Sequence, residues 1–255
     1  MSRVSRAKLL QWTEGFRISF YDPGVTDDEL QGDLTVPEPR QIYENATQWM
    51  GSSRSKILCI QAPPYRGSEW LVPRELLQRL RFPVSLPCVW FFGGARSYQG
   101  LTGQEVTPQA KMLSLVSTMI TQLIKLVPHT VGNTRGTFSR TNIMKMQEPD
   151  ENSPGIPISI PKAIDLIKAL AKVAPPNLFF VFHRCDGLAS VNGAPDRTVT
   201  RQFSDLLRYL AEGQPFRQWK ILWVGTCTSR YLRMMRGTVE SDQFVFVEYP
   251  TDFRP

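Results

Sequence analysis

Apolar positions in this chain follow two alternating rhythms. Five short runs are apolar nearly throughout: 56–62, 88–93, 178–182, 220–224 and 243–247. Their β-branched and aromatic content, with Gly or Pro stops, predicts strands. Between them the apolar residues recur at helical spacing. Ile42, Ala46, Trp49 and Met50 share one face after the Pro37-Glu38-Pro39 break. Thr107-Pro108 opens a long amphipathic helix carrying Met112, Val116, Met119, Ile120, Leu123 and Val127, and Pro128 closes it. Ser159 and Pro161 start another, with Ile164, Ile167, Leu170, Ala171 and Ala174 inward, stopped by Pro175-Pro176-Asn177. A helix over about 200–211 turns Phe203, Leu206, Leu207 and Leu210 inward, and a short one is expected over 229–236. Strands without polar alternation need cover on both faces, and helices alternate with them. The expected fold is α/β: a three-layer, parallel five-stranded sheet with helices on both faces.

The same pattern divides the chain. Residues 1–50 read as an N-terminal extension and lead-in helix, 51–250 as the domain, and 251–255 as a tail. Residues 1–36 are mixed and polar apart from a burst at Phe16-Arg-Ile-Ser-Phe-Tyr. Residues 129–158 are rich in Gly, Thr, Asn, Ser and Pro and read as a long mobile insertion. No repeat of solenoid length is visible.

Composition narrows the classes. Hydrophobic residues at 42% supply a core, and charged residues at 21% are too few for disorder. No apolar run approaches the roughly 18–20 residues of a membrane helix, and the basic N-terminus lacks the apolar stretch of a signal peptide. Cys59, Cys88, Cys185 and Cys227 sit in or beside apolar runs without paired spacing, as in a reduced, cytoplasmic protein. The net charge of +7 would suit an acidic partner, but the 30 basic residues form no run of five. Solvated faces are the favoured reading, and nucleic acid is not an expected partner.

The first strand runs into Gln61-Ala-Pro-Pro-Tyr-Arg-Gly-Ser-Glu69, the place where a phosphate-binding loop would stand. Such a loop uses glycines to bring N–H groups onto phosphate, then Lys and Ser/Thr for the β/γ-phosphates and magnesium. Here the glycine positions read Gln61, Pro64 and Arg66, the lysine position reads Gly67, and only Ser68 is kept. Pro63 and Pro64 have no N–H to offer. Pro73 moves the expected helix start toward Val72, away from any phosphate. Ser68 reads more readily as a loop or cap serine than as a magnesium ligand. Arg66 could grip phosphate in place of lysine, against the simpler reading of a solvated loop arginine.

Taken together, the segments resemble the NACHT-type NTPase core of fungal NOD-like signalling ATPases, often labelled nephrocystin-like N-terminal domains. The resemblance spans about residues 37–250. It rests on the loop at 56–69, on the strand at 88–93 with its following helix, and on two further motifs. Leu178-Phe-Phe-Val-Phe-His-Arg-Cys-Asp-Gly-Leu188 is similar to the family's Walker B segment, an apolar run ending in D-[AG]-L-D-E. Trp219-Lys-Ile-Leu-Trp-Val-Gly-Thr-Cys-Thr-Ser-Arg230 is similar to its sensor strand ending in T-S-R. In the first of these, His183 stands in the slot of the magnesium-binding Asp, Asp186 keeps the second Asp, and Gly187 replaces the catalytic Glu. Arg230 meets the sensor arginine only if extra residues are allowed.

The resemblance implies ATP or ADP with magnesium as cofactor, and protein partners or self-association through the domain. Its remnant nucleotide-binding residues would be Arg66, Gly67, Ser68, Asp186 and Arg230. Asp186 also reads as a turn residue beside Gly187. His183 and Cys185 share one face if extended, but two ligands without a second pair make a poor metal or thiol site. The favoured expectation is a regulatory or scaffolding module with little or no NTPase activity. The alternatives are an ATPase switch working with Arg66 and Asp186, and a basic nucleic-acid-binding protein.

Overall fold

The computed structural model describes residues 3–14, 40–53, 57–61, 86–93, 107–132, 136–147, 158–183, 185–188, 190–191, 194–212, 216–225 and 244–248. In chain order the elements are β1 (Arg3–Ser5), α1 (Arg6–Trp12), α2 (Arg40–Gly51), β2 (Ile57–Gln61), β3 (Cys88–Phe92) and α3 (Pro108–Leu126). They continue with β4 (Thr130–Gly132), α4 (Arg140–Met144), a 3-10 turn Lys145–Gln147, α5 (Ile160–Val173) and β5 (Asn177–His183). A second 3-10 turn, Cys185–Gly187, leads to β6 (Ser190–Val191), β7 (Ala194–Pro195), α6 (Arg197–Glu212), β8 (Gln218–Gly225) and β9 (Phe244–Glu248).

These elements belong to two compact units. One comprises Pro23–Arg96, Pro176–Leu188 and Phe203–Pro255, and holds the sheet. Its strand order is β3-β5-β8-β2-β9, and every neighbouring pair is parallel. β2, β5 and β8 are buried along almost their whole length, as strands covered on both faces must be. Side chains alternate between the faces. On one face Leu58, Ile60, Phe179, Val181, Leu222, Val224 and Val247 pack with Ile42, Ala46 and Trp49 of α2. Trp49 meets Phe179 edge-on at 5.7 Å. On the other face Phe182 and Trp223 pack on Phe203 of α6, and Trp219 on Tyr209. Within this unit the architecture is therefore helix, sheet, helix, consistent with the P-loop NTPase-like α/β class expected.

The other unit comprises Met1–Asp22, Ser97–Pro175 and Ala189–Gln202. Here α3 packs against α5 and α1. Thr107 caps α3 through the Ala110 N–H (3.2 Å), with Pro108 at the first helical position. The first residues, read from sequence as part of a mixed, polar N-terminal extension, form β1 and α1. β1 pairs antiparallel with β4, Val4 opposite Val131. The Arg6 guanidinium donates to the Lys125 carbonyl at 3.0 Å, and Arg6 N–H donates to the His129 carbonyl at 2.8 Å. A cation thus satisfies the orphan carbonyls at the end of α3. The 129–158 stretch contains β4, α4 and a 3-10 turn among its described residues. Ser139 caps α4, and Asn142 Nδ2 donates to the Gly136 carbonyl. Gly136 itself has φ +71, which glycine adopts at no steric cost.

α6 begins at Arg197, ahead of the 200 expected, because Asp196 supplies its cap. Its Oδ1 accepts from the Val199 N–H at 2.9 Å, while Oδ2 accepts from Gln109 Nε2 at 2.5 Å. Before β8 stands Phe216, fully exposed and at φ +65. A left-handed phenylalanine costs about 1–2 kcal/mol, and its ring recovers none of that by burial. Phe216→Gly is expected to raise stability by about 0.5–1 kcal/mol after glycine's own entropy cost. A higher urea midpoint at unchanged slope would show it, and a lower one would refute it.

Candidate functional site

Parallel sheets collect ligands beyond the carboxyl ends of their strands. In this sheet Gln61, the last residue of β2, pairs with Gly225, the last of β8, and His183, the last of β5, pairs with Val224. The loop at 62–69, the turn at 184–188 and the segment from 226 thus leave from three adjacent strand ends. The register brings together the roots of the three motifs read from sequence. Arg66, Gly67, Ser68 and Arg230 lie outside the described residues, as do Pro73 and the helix expected at 229–236. Asp186 is described as backbone only, in the 3-10 turn that follows β5.

The turn after β5 is built for burial. His183, which the resemblance would align with a magnesium carboxylate, is 0% exposed. Its carbonyl accepts from the Gly93 N–H at 2.7 Å, tying the end of β3 to the end of β5. The Cys185 thiol donates to the same carbonyl at 3.6 Å, and the Leu188 N–H donates to the Cys185 carbonyl at 3.1 Å. Cys185 and Leu188 are also fully buried. The 3-10 turn breaks the extended geometry that would have put His183 and Cys185 side by side. Among the described residues no group of three His, Cys, Asp or Glu could hold a metal ion.

Sequence reading passed over Lys220, whose signal is a lysine inside an apolar strand. It is 2% exposed, and its Nζ donates to the Ser52 carbonyl at 2.7 Å, just past the end of α2. The ammonium satisfies a helix-end carbonyl. It lies five residues before Gly225, roughly 16 Å back along the strand. At that distance it cannot serve a phosphate held at the carboxyl end of the sheet. Tyr209 lies toward the same amino end, against Trp219. Burial pushes its phenol above the usual tyrosine value, with Arg217 opposing. Neither group marks the motif-bearing edge.

No protein-family model and no curated protein matches the sequence. Among solved structures, a chain of "Structure of Drosophila ORC bound to GC-rich DNA and Cdc6" is similar at 10% identity and a TM-score of 0.34. The match covers 95% of this chain and 31% of that one, so this chain spans less than a third of that protein's length. A likeness this low carries no argument about function. Among the described residues no helix is long and apolar enough to cross a membrane.

Proposed function

We propose that this chain is a degenerate NACHT-like P-loop domain serving as a regulatory or scaffolding module, its phosphoryl-transfer chemistry lost. The observation that carries the reading is the sealed His183. Magnesium takes hard oxygen ligands and keeps several waters. An imidazole with no solvent exposure supplies neither oxygen nor room for water. The residues read from sequence at the loop agree: Pro63 and Pro64 offer no N–H, and Gly67 stands where a lysine would neutralise the β/γ-phosphates. Without metal and lysine, the charge that builds up during phosphoryl transfer has little compensation. Such a module would act through protein contacts or self-association, in the cytoplasm.

The test is calorimetric titration with ATP and ADP, with and without magnesium. The expected result is no magnesium-dependent heat up to about millimolar nucleotide, at most about −4 kcal/mol of binding. Micromolar binding that needs magnesium and disappears in Arg66→Ala would establish the ATPase-switch alternative instead. Sedimentation of the protein should likewise show an assembly state that nucleotide does not change.

A further inference from the structure

The unit that holds the sheet is almost neutral, with 16 basic and 15 acidic residues across its segments. The other carries 14 basic and 8 acidic, so nearly all of the chain's +7 belongs to it. The sequence had shown these charges only as scattered. The basic residues divide almost evenly between the units, and the shortage of acids is what leaves the net positive charge in this one.

Within that unit a cavity of about 290 Å³ opens between the α4 region and α5. Asn142, Lys145, Met146, Lys162, Asp165 and Leu166 line it. Its floor is apolar, since Met146 and Leu166 are buried. Its rim is cationic. Lys145 and Lys162 are exposed, and Lys162 Nζ donates to the Lys145 carbonyl at 3.0 Å, which holds the two ammonium-bearing residues side by side. Met144, on α4 beside this rim, is 43% exposed. Further along α5, Lys172 is exposed and Lys168 half-buried.

We infer that this cavity docks an acidic peptide segment of a protein partner, seating one apolar side chain on Met146 and Leu166 between flanking carboxylates. Charge complementarity favours an anionic occupant, because two lysines outnumber the one carboxylate in the lining and the unit around them carries net positive charge. The apolar floor selects a peptide over a phosphate backbone, which has no hydrophobic side chain to place there. Asp165 points the same way. Its carboxylate can accept a peptide backbone N–H, a donor that a phosphate backbone lacks. Docking of this kind belongs to a different unit from the motif-bearing sheet edge and stands whether or not nucleotide binds.

The experiment is fluorescence anisotropy at low salt with a labelled ten-residue Asp/Glu peptide carrying one central leucine. Reversing both rim charges (Lys145→Glu with Lys162→Glu) is expected to weaken binding about tenfold or more. The same charge change at Lys8 and Lys125, exposed elsewhere in this unit, should leave it within about twofold. Lys145→Gln with Lys162→Gln is the milder pair should the reversal disturb folding, which circular dichroism monitors. Replacing the probe's leucine with glycine should weaken binding several-fold. Equal losses in the two reversed pairs, equal binding of the glycine probe, or no binding at millimolar peptide would each overturn the inference. Tighter binding of a ten-nucleotide deoxythymidylate would overturn it in favour of a polyphosphate occupant.

Discussion

Trp223→Ala is expected to lower the unfolding free energy by about 3–5 kcal/mol, among the largest losses a single side chain here can cause. Trp223 sits on β8, paired on one side with β5 and on the other with β2. Its indole is 1% exposed and lies 6.1 Å from the Phe182 ring and 5.9 Å from Phe203 of α6. Truncation removes the transfer free energy of the indole and leaves a void that strand pairing keeps open. The two ring contacts made by Trp223, with Phe182 and with Phe203, are also lost, each worth about 0.5–1.5 kcal/mol. Thermal unfolding followed by circular dichroism should fall by roughly 6–15 °C. Trp223→Phe, which keeps most of the packing, should cost much less. A loss under about 1 kcal/mol for the alanine variant would mean that α6 does not cover this face of the sheet.

The sheet was readable because its physics is local in pattern. Runs such as Leu178-Phe-Phe-Val-Phe and Ile221-Leu-Trp-Val have no polar alternation, so each announces cover on both faces. The inward stripes of α2 and α3 likewise follow from spacing alone. β1 and α1 were not readable, because their order depends on partners more than a hundred residues away. Arg3 pairs with Gly132, and Arg6 serves carbonyls at Lys125 and His129. α4 was hidden for another reason. The turn-forming residues around it, Gly136 and Ser139 among them, read as loop composition while in fact capping and closing a short helix. At the candidate site, residue identities alone put Gly67 and His183 where the resemblance would place a lysine and a magnesium carboxylate. That His183 is sealed follows only from the register of β3, β5 and β8, which no single segment reveals.

The sealed position makes the reconstruction His183→Asp the sharpest probe of the proposed function. On residue identity it supplies the carboxylate that the proposed Walker B resemblance would require. On the structure it places an acid where exposure is 0%. Burial disfavours the charged form, so the new carboxyl is expected to titrate well above the usual value of about 3.9. The expected loss is about 3–4 kcal/mol at pH 7, where folding must either bury a charge or take up a proton. The sign in pH follows from the raised value. Stability relative to the uncharged His183→Asn control is retained at acidic pH, below the unfolded carboxyl's pKa, and is lost as pH rises through the folded one. Urea midpoints for the two variants should therefore converge near pH 4 and separate toward pH 7. Magnesium with ADP at about millimolar concentration should not restore the lost stability, since a ligand stabilises only what it binds. A rise of several degrees on adding both would show the rebuilt carboxylate reaching a bound metal. The degenerate-site reading would then be wrong, and a single substitution would separate this chain from a working nucleotide switch.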